Sequence, residues 1–86
     1  MRRNNLVYYA IFSYDDDGIS IYFPDLPGCI SCGYTTEEAM RMAKDALELY
    51  LEGIPENMLP MPSKLNEIKT NSPNERVVPI KVQFYK

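Results

Sequence analysis

One stretch of this chain, Thr35 to Gly53, reads as a long helix, and it limits the fold more than any other feature. Thr35-Thr36-Glu37-Glu38 has the form of a capping box. The Thr35 hydroxyl can take the free amide of Glu38 while the Glu38 side chain reaches back over the helix start. Ala39, Ala43, Ala46, Leu47 and Tyr50 then recur along one face, with Glu38, Arg41, Asp45, Glu48 and Glu52 toward water and Gly53 suited to the stop. The alanines permit close approach to a sheet. Met40 and Met42 fall at the margins of the stripe, where methionine fills gaps. A single helix can cover a single face of a sheet, and most of the seven tyrosines and three phenylalanines lie on strand-like runs. The chain is therefore expected to keep a partly apolar open face or an unprotected strand edge, suited to association and most simply to a homo-oligomer such as a two-fold dimer.

The strand signals surround this helix. Leu6 to Tyr14 is β-branched and aromatic with apolar residues at even and odd positions, the pattern of a central strand covered on both sides. Asp15-Asp16-Asp17-Gly18 offers a turn, and Ile19 to Phe23 resumes as the antiparallel partner. In Pro24-Asp25-Leu26-Pro27-Gly28, the last two residues fit the central positions of a type II turn and Asp25 reads as an Asx-type turn former. Cys29 to Gly33 is a short third strand. After the helix, Pro55, Pro60 and Pro62 make residues 54–62 a connector, with Ser63 placed to cap a short helical turn through Ile68. From Arg76 to Tyr85, Val78, Ile80, Val82 and Phe84 alternate with Lys81 and Gln83, and Pro79 restricts this last strand to an edge.

Composition closes off several classes. At 86 residues and 9.9 kDa the chain is one domain, residues 1–86, and its 45% apolar and 24% charged content is that of a folding chain. The longest apolar runs fall far short of the roughly 18 residues that cross a bilayer. Behind Met1-Arg2-Arg3 no signal-peptide pattern follows, so a cytoplasmic address and no membrane partner are expected. A net charge of -3 and a pI near 4.8 argue against a free-standing nucleic-acid binder. The charge is unevenly spread. Ten acids stand against Arg41 and Lys44 between Asp15 and Glu56, a balance of -8, while the remainder carries +5. An acidic section of this kind attracts a basic partner from a distance.

Cys29 and Cys32 form a lone C-x-x-C in a chain without histidine, too few Cys and His side chains for a structural zinc site. On a strand their side chains point to opposite faces, which leaves them as small packing residues in a reducing compartment. Neither a metal nor any other cofactor is expected. A metal-dependent nuclease is the alternative class, but its carboxylates would have to come from Asp15, Asp16 and Asp17 at a hairpin tip and Asp25 in a turn. No nucleophile stands beside a base, and no glycine-rich phosphate loop is present.

One ordered pattern is more specific. The run Gly18-Ile19-Ser20-Ile21-Tyr22-Phe23-Pro24-Asp25-Leu26-Pro27-Gly28-Cys29, then Gly33-Tyr34-Thr35-Thr36-Glu37-Glu38-Ala39, then Ala43, Ala46 and Leu47, and later Pro60-Met61-Pro62-Ser63, resembles the HicB antitoxin family over about residues 6–84. The resemblance implies an α+β, partial ribonuclease-H-like fold in the order β-β-β-α-β: three antiparallel strands, one long helix, a connector with a short helical turn, and a final strand parallel to the first. It also implies a role without catalysis, the neutralisation of a HicA-like toxin, a small basic protein that cleaves mRNA. Many members add a C-terminal DNA-binding domain. Residues 1–86 contain none, so direct DNA binding by this chain alone is not expected. Tyr22, Phe23, Pro24, Asp25 and Leu26, with Glu37 and Glu38, set apolar and acidic groups together and are the expected partner-binding residues.

Overall fold

The apolar run around Leu6 becomes the middle of the longest strand, because it can pair on both sides and bury one face. The computed structural model describes the backbone of residues 3–85 and the side chains of residues 5–82. Its strands are β1 (Arg3–Asp15), β2 (Gly18–Tyr22), β3 (Ile30–Gly33) and β4 (Glu75–Tyr85), and its helix is α1 (Thr36–Glu52). Single 3-10 turns at Glu56–Met58 and Leu65–Glu67 interrupt the connector. The strands form one sheet in the order β3-β2-β1-β4, so the element order is the expected β-β-β-α-β.

The register separates two faces. Phe12 stands opposite Ile21, Tyr8 opposite Ile80 and Leu6 opposite Val82, on the face that α1 covers. Tyr8, Ala10, Phe12, Ile19, Ile21, Phe23, Leu26, Cys29, Ile80 and Val82 pack there against Ala39, Ala43, Leu47 and Leu51, a helix row at strict i, i+4 spacing. Leu51 extends this row beyond Tyr50, the last residue of the stripe expected from the sequence. Ala46 and Tyr50 are half-buried at its flank, and Met40 and Met42 keep 39% and 37% of their surface in water. Gly33 lets β3 and the helix start approach closely: a Cβ there would lie 2.7 Å from the Ala39 nitrogen.

The helix ends act as their residues allow. Glu38 N–H donates to Thr35 Oγ1 at 3.0 Å, while the Glu38 carboxylate reaches one residue beyond the cap to the N–H of Tyr34 at 2.8 Å. Gly53 stands at the C-cap, where the stop is expected, but with a negative φ of -83° and not in the left-handed conformation. The helix closes instead on Ile54 N–H to Leu51 O, and Pro55 brings no further donor. In the turn before β3, Cys29 N–H bonds Leu26 O at 2.9 Å across Pro27-Gly28, with Gly28 at φ +87°, as the type II reading requires.

Three further expectations change. The final strand is antiparallel to β1, with Ser13 opposite Glu75 and Arg3 opposite Tyr85, and not parallel. The connector explains this, for it carries the chain from the far end of α1 back to the hairpin tip, where Asn74 O accepts Tyr14 N–H, before β4 begins. Ser63 does not cap the short turn, since its N–H and hydroxyl both go to Asp25 and Lys64 takes the capping position. β1 pairs on both edges but is helix-covered on one face only. The expected inward placement of Phe84 and outward placement of Gln83 lie outside the described side chains. Pro79 sits on an edge strand as expected.

Candidate functional site

The face away from α1 carries Val7, Tyr9, Ile11, Tyr22, Ile30, Val77 and Pro79, placed together by the pairs Tyr9 with Pro79, Ile11 with Val77 and with Tyr22, and Tyr22 with Ile30. Ile11 is 1% exposed yet lies outside the helix-side core, so its own neighbours shield it. Ile30 is 70% exposed. Glu75 closes one end of this face near Tyr22, and burial first, then the Glu75 charge, pushes the Tyr22 hydroxyl above its ordinary value of 10.0. Lys81 stands beside Val7 toward the other end. The result is an apolar strip with acid at one limit and base at the other.

A second feature is acidic. The hairpin tip meets the start of α1 across an open cleft of about 580 Å³ lined by Tyr14, Asp15, Asp16, Asp17, Tyr34 and Thr36 among others. Tyr14 and Thr36 hydroxyls lie 3.1 Å apart and tie the two segments together. Glu37 and Glu38 open the helix at this same end. The helix dipole favours Glu37 and Glu38 in the first turn, so these two carboxylates add to the negative charge of the hairpin tip at modest cost.

The third feature accounts for the most specific sequence pattern. Asp25 accepts the N–H and the hydroxyl of Ser63, both at 2.6 Å, and Tyr8 donates its hydroxyl to Pro60 O at 2.6 Å. Asp25 therefore does not fold back on its own turn; it holds a segment 38 residues away. The Pro24–Cys29 turn and the Pro60–Ser63 segment, far apart in sequence, are one structure in space. Burial first, and then the Asp25 charge, raises the Tyr8 hydroxyl above its ordinary value of 10.0.

The expected partner-binding residues are thus divided. Tyr22 is half-buried on the open face, and Glu37 is exposed at the acidic end with Glu38 half-buried beside it. Pro24 is exposed, and Asp25 is committed to Ser63. Phe23 and Leu26 are 2% and 0% exposed and belong to the chain's own core. What the sequence reading missed is the company Tyr22 keeps: Tyr9, Ile30, Val77 and Pro79 become its neighbours only once the register is fixed. Cys29 is buried and its thiol is pushed up by burial, while Cys32 is exposed, the opposite facing that strand geometry predicts. Among the described residues no three metal-ligating side chains converge.

Against this geometry, residues 8–84 match the family model described as HicB-like antitoxin of bacterial toxin-antitoxin systems. The chain belongs to the HicB-like antitoxin family. Its role is accordingly that of an antitoxin, a binding protein and not an enzyme. It is similar to a UPF0150 protein of Helicobacter pylori, 35% identical over 75 residues that cover 87% of this chain and 93% of that one. It is also 39% identical over 67 residues to Antitoxin HicB 2 of Photorhabdus laumondii, covering 73% of this chain and 47% of the relative, so it spans about half that protein's length. Among solved structures, a chain of a toxin–antitoxin complex from Streptococcus pneumoniae shares the fold, with a TM-score of 0.78 at 20% identity over 91% of this chain and 69% of the other. A chain of the HicA3 and HicB3 toxin–antitoxin complex is 27% identical, with a TM-score of 0.53 over 69% of each.

Proposed function

We propose that this HicB-like antitoxin neutralises a HicA-like, mRNA-cleaving toxin by covering the toxin's basic RNA-binding surface. The match to the family model over residues 8–84 carries the reading, and the likeness to a chain of the HicA3 and HicB3 complex supports it. The acidic end, with Asp16, Asp17 and Glu37 exposed, supplies the charge that steers a cationic partner. The adjoining open face, with Tyr22 and Tyr9 among its apolar residues, supplies the dry centre that such an interface needs. The chain acts in the cytoplasm, where mRNA is translated, and as a homo-oligomer that covers part of its unprotected sheet.

Binding to the purified toxin tests this. The triple variant Asp16→Lys, Asp17→Lys, Glu37→Lys should still fold, because all three side chains are exposed and the lost helix-dipole interaction at Glu37 is worth only about 0.3–1 kcal/mol. It should associate at least about tenfold more slowly, given the scale of electrostatic steering. Unchanged affinity in the variant, with association indifferent to salt, would remove the acidic end from recognition. Continued RNA cleavage in the presence of excess wild-type chain would remove the antitoxin reading itself.

A further inference from the structure

The two edges of the sheet are not alike. On β4 the even-numbered residues turn their backbone groups toward β1, continuing the bond from Tyr14 N–H to Asn74 O, and the odd-numbered residues face outward. Of these, Pro79 has no N–H, Glu75 gives its own to Ser72 O, and Lys81 adds a charge. Such an edge resists strand addition. On β3 the ladder uses the odd-numbered residues, continued by Phe23 N–H to Cys29 O, so the backbone groups of Ile30 and Cys32 face outward. Tyr34, next in the outward series, already gives its N–H to Glu38. The segment Ile30–Gly33 holds neither proline nor charge.

The helix continues this uncharged border. Met42, Ala46 and Leu49 follow one another along α1 at i, i+4 and i+7. Their row adjoins the entrance to β3, for the Cys29 thiol donates to Ala46 O at 3.7 Å and the Tyr50 hydroxyl to Pro27 O at 3.0 Å. On the helix side of this edge Leu49 is 73% exposed and Met42 37%, and on the opposite face of the sheet Ile30 is 70% exposed. Farther around the helix stand Glu38, Asp45 and Glu52, an acidic margin.

We propose that the β3 edge is the seam of a two-fold dimer, in which β3 pairs antiparallel with β3 of a second copy about an axis at Ser31 and Met42 and Leu49 of the two helices cover the join. This names the surface for the self-association put forward above and does not depend on the toxin reading. The register sets Ile30 opposite Cys32 of the second copy, twice over, and uses every outward backbone group of the two residues. Two copies of a net negative chain meet where neither strand carries charge. A second β3 also has the right length: a longer foreign strand would run into Tyr34, 83% exposed, at one end and the Pro27-Gly28 turn at the other.

Light scattering on the wild-type chain and on Ile30→Lys is the first test, with circular dichroism to show that the variant folds. Wild type should have twice the 9.9 kDa chain mass and Ile30→Lys the mass of one chain. Raising salt from 50 to 500 mM, a screening length of about 14 falling to about 4 Å, should tighten the dimer because the two acidic margins approach each other. In Ile30→Cys, oxidised glutathione should produce a reducible covalent dimer, since opposed residues of a hydrogen-bonded pair lie about 5.5 Å apart at Cα, within disulfide reach. Ile30→Cys combined with Cys32→Ser should give none. A dimeric Ile30→Lys would leave self-association standing and overturn this seam; if it also fails to bind toxin, the edge serves the toxin instead. A wild-type monomer would overturn both, and ready crosslinking of wild type through Cys32 would overturn the register.

Discussion

Gly28 and Gly33 sit within the same short stretch and are needed for different physical reasons. At Gly28 the backbone is left-handed at φ +87° and an added Cβ would touch nothing within 4 Å, so Gly28→Val costs only the strain of that conformation, about 1–2 kcal/mol. At Gly33 the conformation is ordinary, but an added Cβ would meet the Ala39 backbone at 2.7 and 2.8 Å. Gly33→Ala should therefore force β3 and α1 apart and cost about 1–3 kcal/mol, the range for overpacking a tight core. Urea melts of both variants decide the matter: an unchanged midpoint in Gly33→Ala would mean that strand and helix do not approach so closely. Tyr8 carries a pH dependence. Its folded hydroxyl titrates above the unfolded value of 10.0, so the unfolded chain gives up this proton first as the solution becomes alkaline. The stability held by the neutral hydroxyl is fully present below pH 10 and is lost as pH rises through the higher folded value. Cys29, raised by burial from 9.0, and Tyr22 act in the same direction. Stability measured against pH should fall above about pH 9–10, less steeply in Tyr8→Phe, which lacks the titrating group. Equal slopes in the two proteins would contradict this. The type II turn was legible because Pro27 and Gly28 announce their own geometry. The bond between Asp25 and Ser63 was not, because a carboxylate in a turn has nothing in its sequence neighbourhood to show that its donor lies in a distant connector.

The single helix was the most legible element. Thr35 and Glu38 mark its start through local chemistry, and Thr35→Ala should lower stability by about 1 kcal/mol, as loss of a cap ordinarily does. A melt coincident with wild type would show that the Tyr34 N–H to Glu38 bond alone holds the first turn. The helix end was less legible. Gly53 invited a left-handed stop, whereas Pro55 and the Ile54 to Leu51 bond close the turn without one, and the core row consequently runs on to Leu51. Tyr8 on Pro60 and Asp25 on Ser63 tie the connector to the sheet and its turn, and Ile54 and Leu59 pack against the core. Asp25→Asn keeps the shape of the side chain but replaces one accepting oxygen with a donor that Ser63 N–H cannot use. Limited proteolysis should then cut residues 54–62 several-fold faster than in wild type while the sheet persists, and equal cleavage would show that other contacts hold the segment. Strand directions were the weakest inference, since alternation in β4 reports a buried face and says nothing about the end from which the strand enters.

At the scale of the whole molecule, the sequence revealed that one sheet face would lack a helix, and the register then decided which residues compose it. Tyr9, Ile11, Tyr22, Val77 and Pro79 come from three strands and no spacing rule relates them. Salt offers a test that separates the two surfaces of the molecule. Association with a cationic toxin should slow as salt rises, while the proposed dimer should tighten over the same range, so stopped-flow and light scattering on one sample should move in opposite senses. Trends of the same sign would mean that a single surface serves both events. The pairing of β1 with β4 has a further result for how the protein comes into being. Arg3 finds its partner at Tyr85, and β1 pairs with β4 along most of its length. A ribosome emits β1 first and β4 last of the described elements, so the emerging chain holds an open, aromatic strand until synthesis has passed Tyr85. Closing so long a loop makes the final pairing slow compared with the local β1–β2 hairpin. Until β4 has emerged, the β1 edge that it will cover stays open, and the sheet is complete only when that last strand pairs.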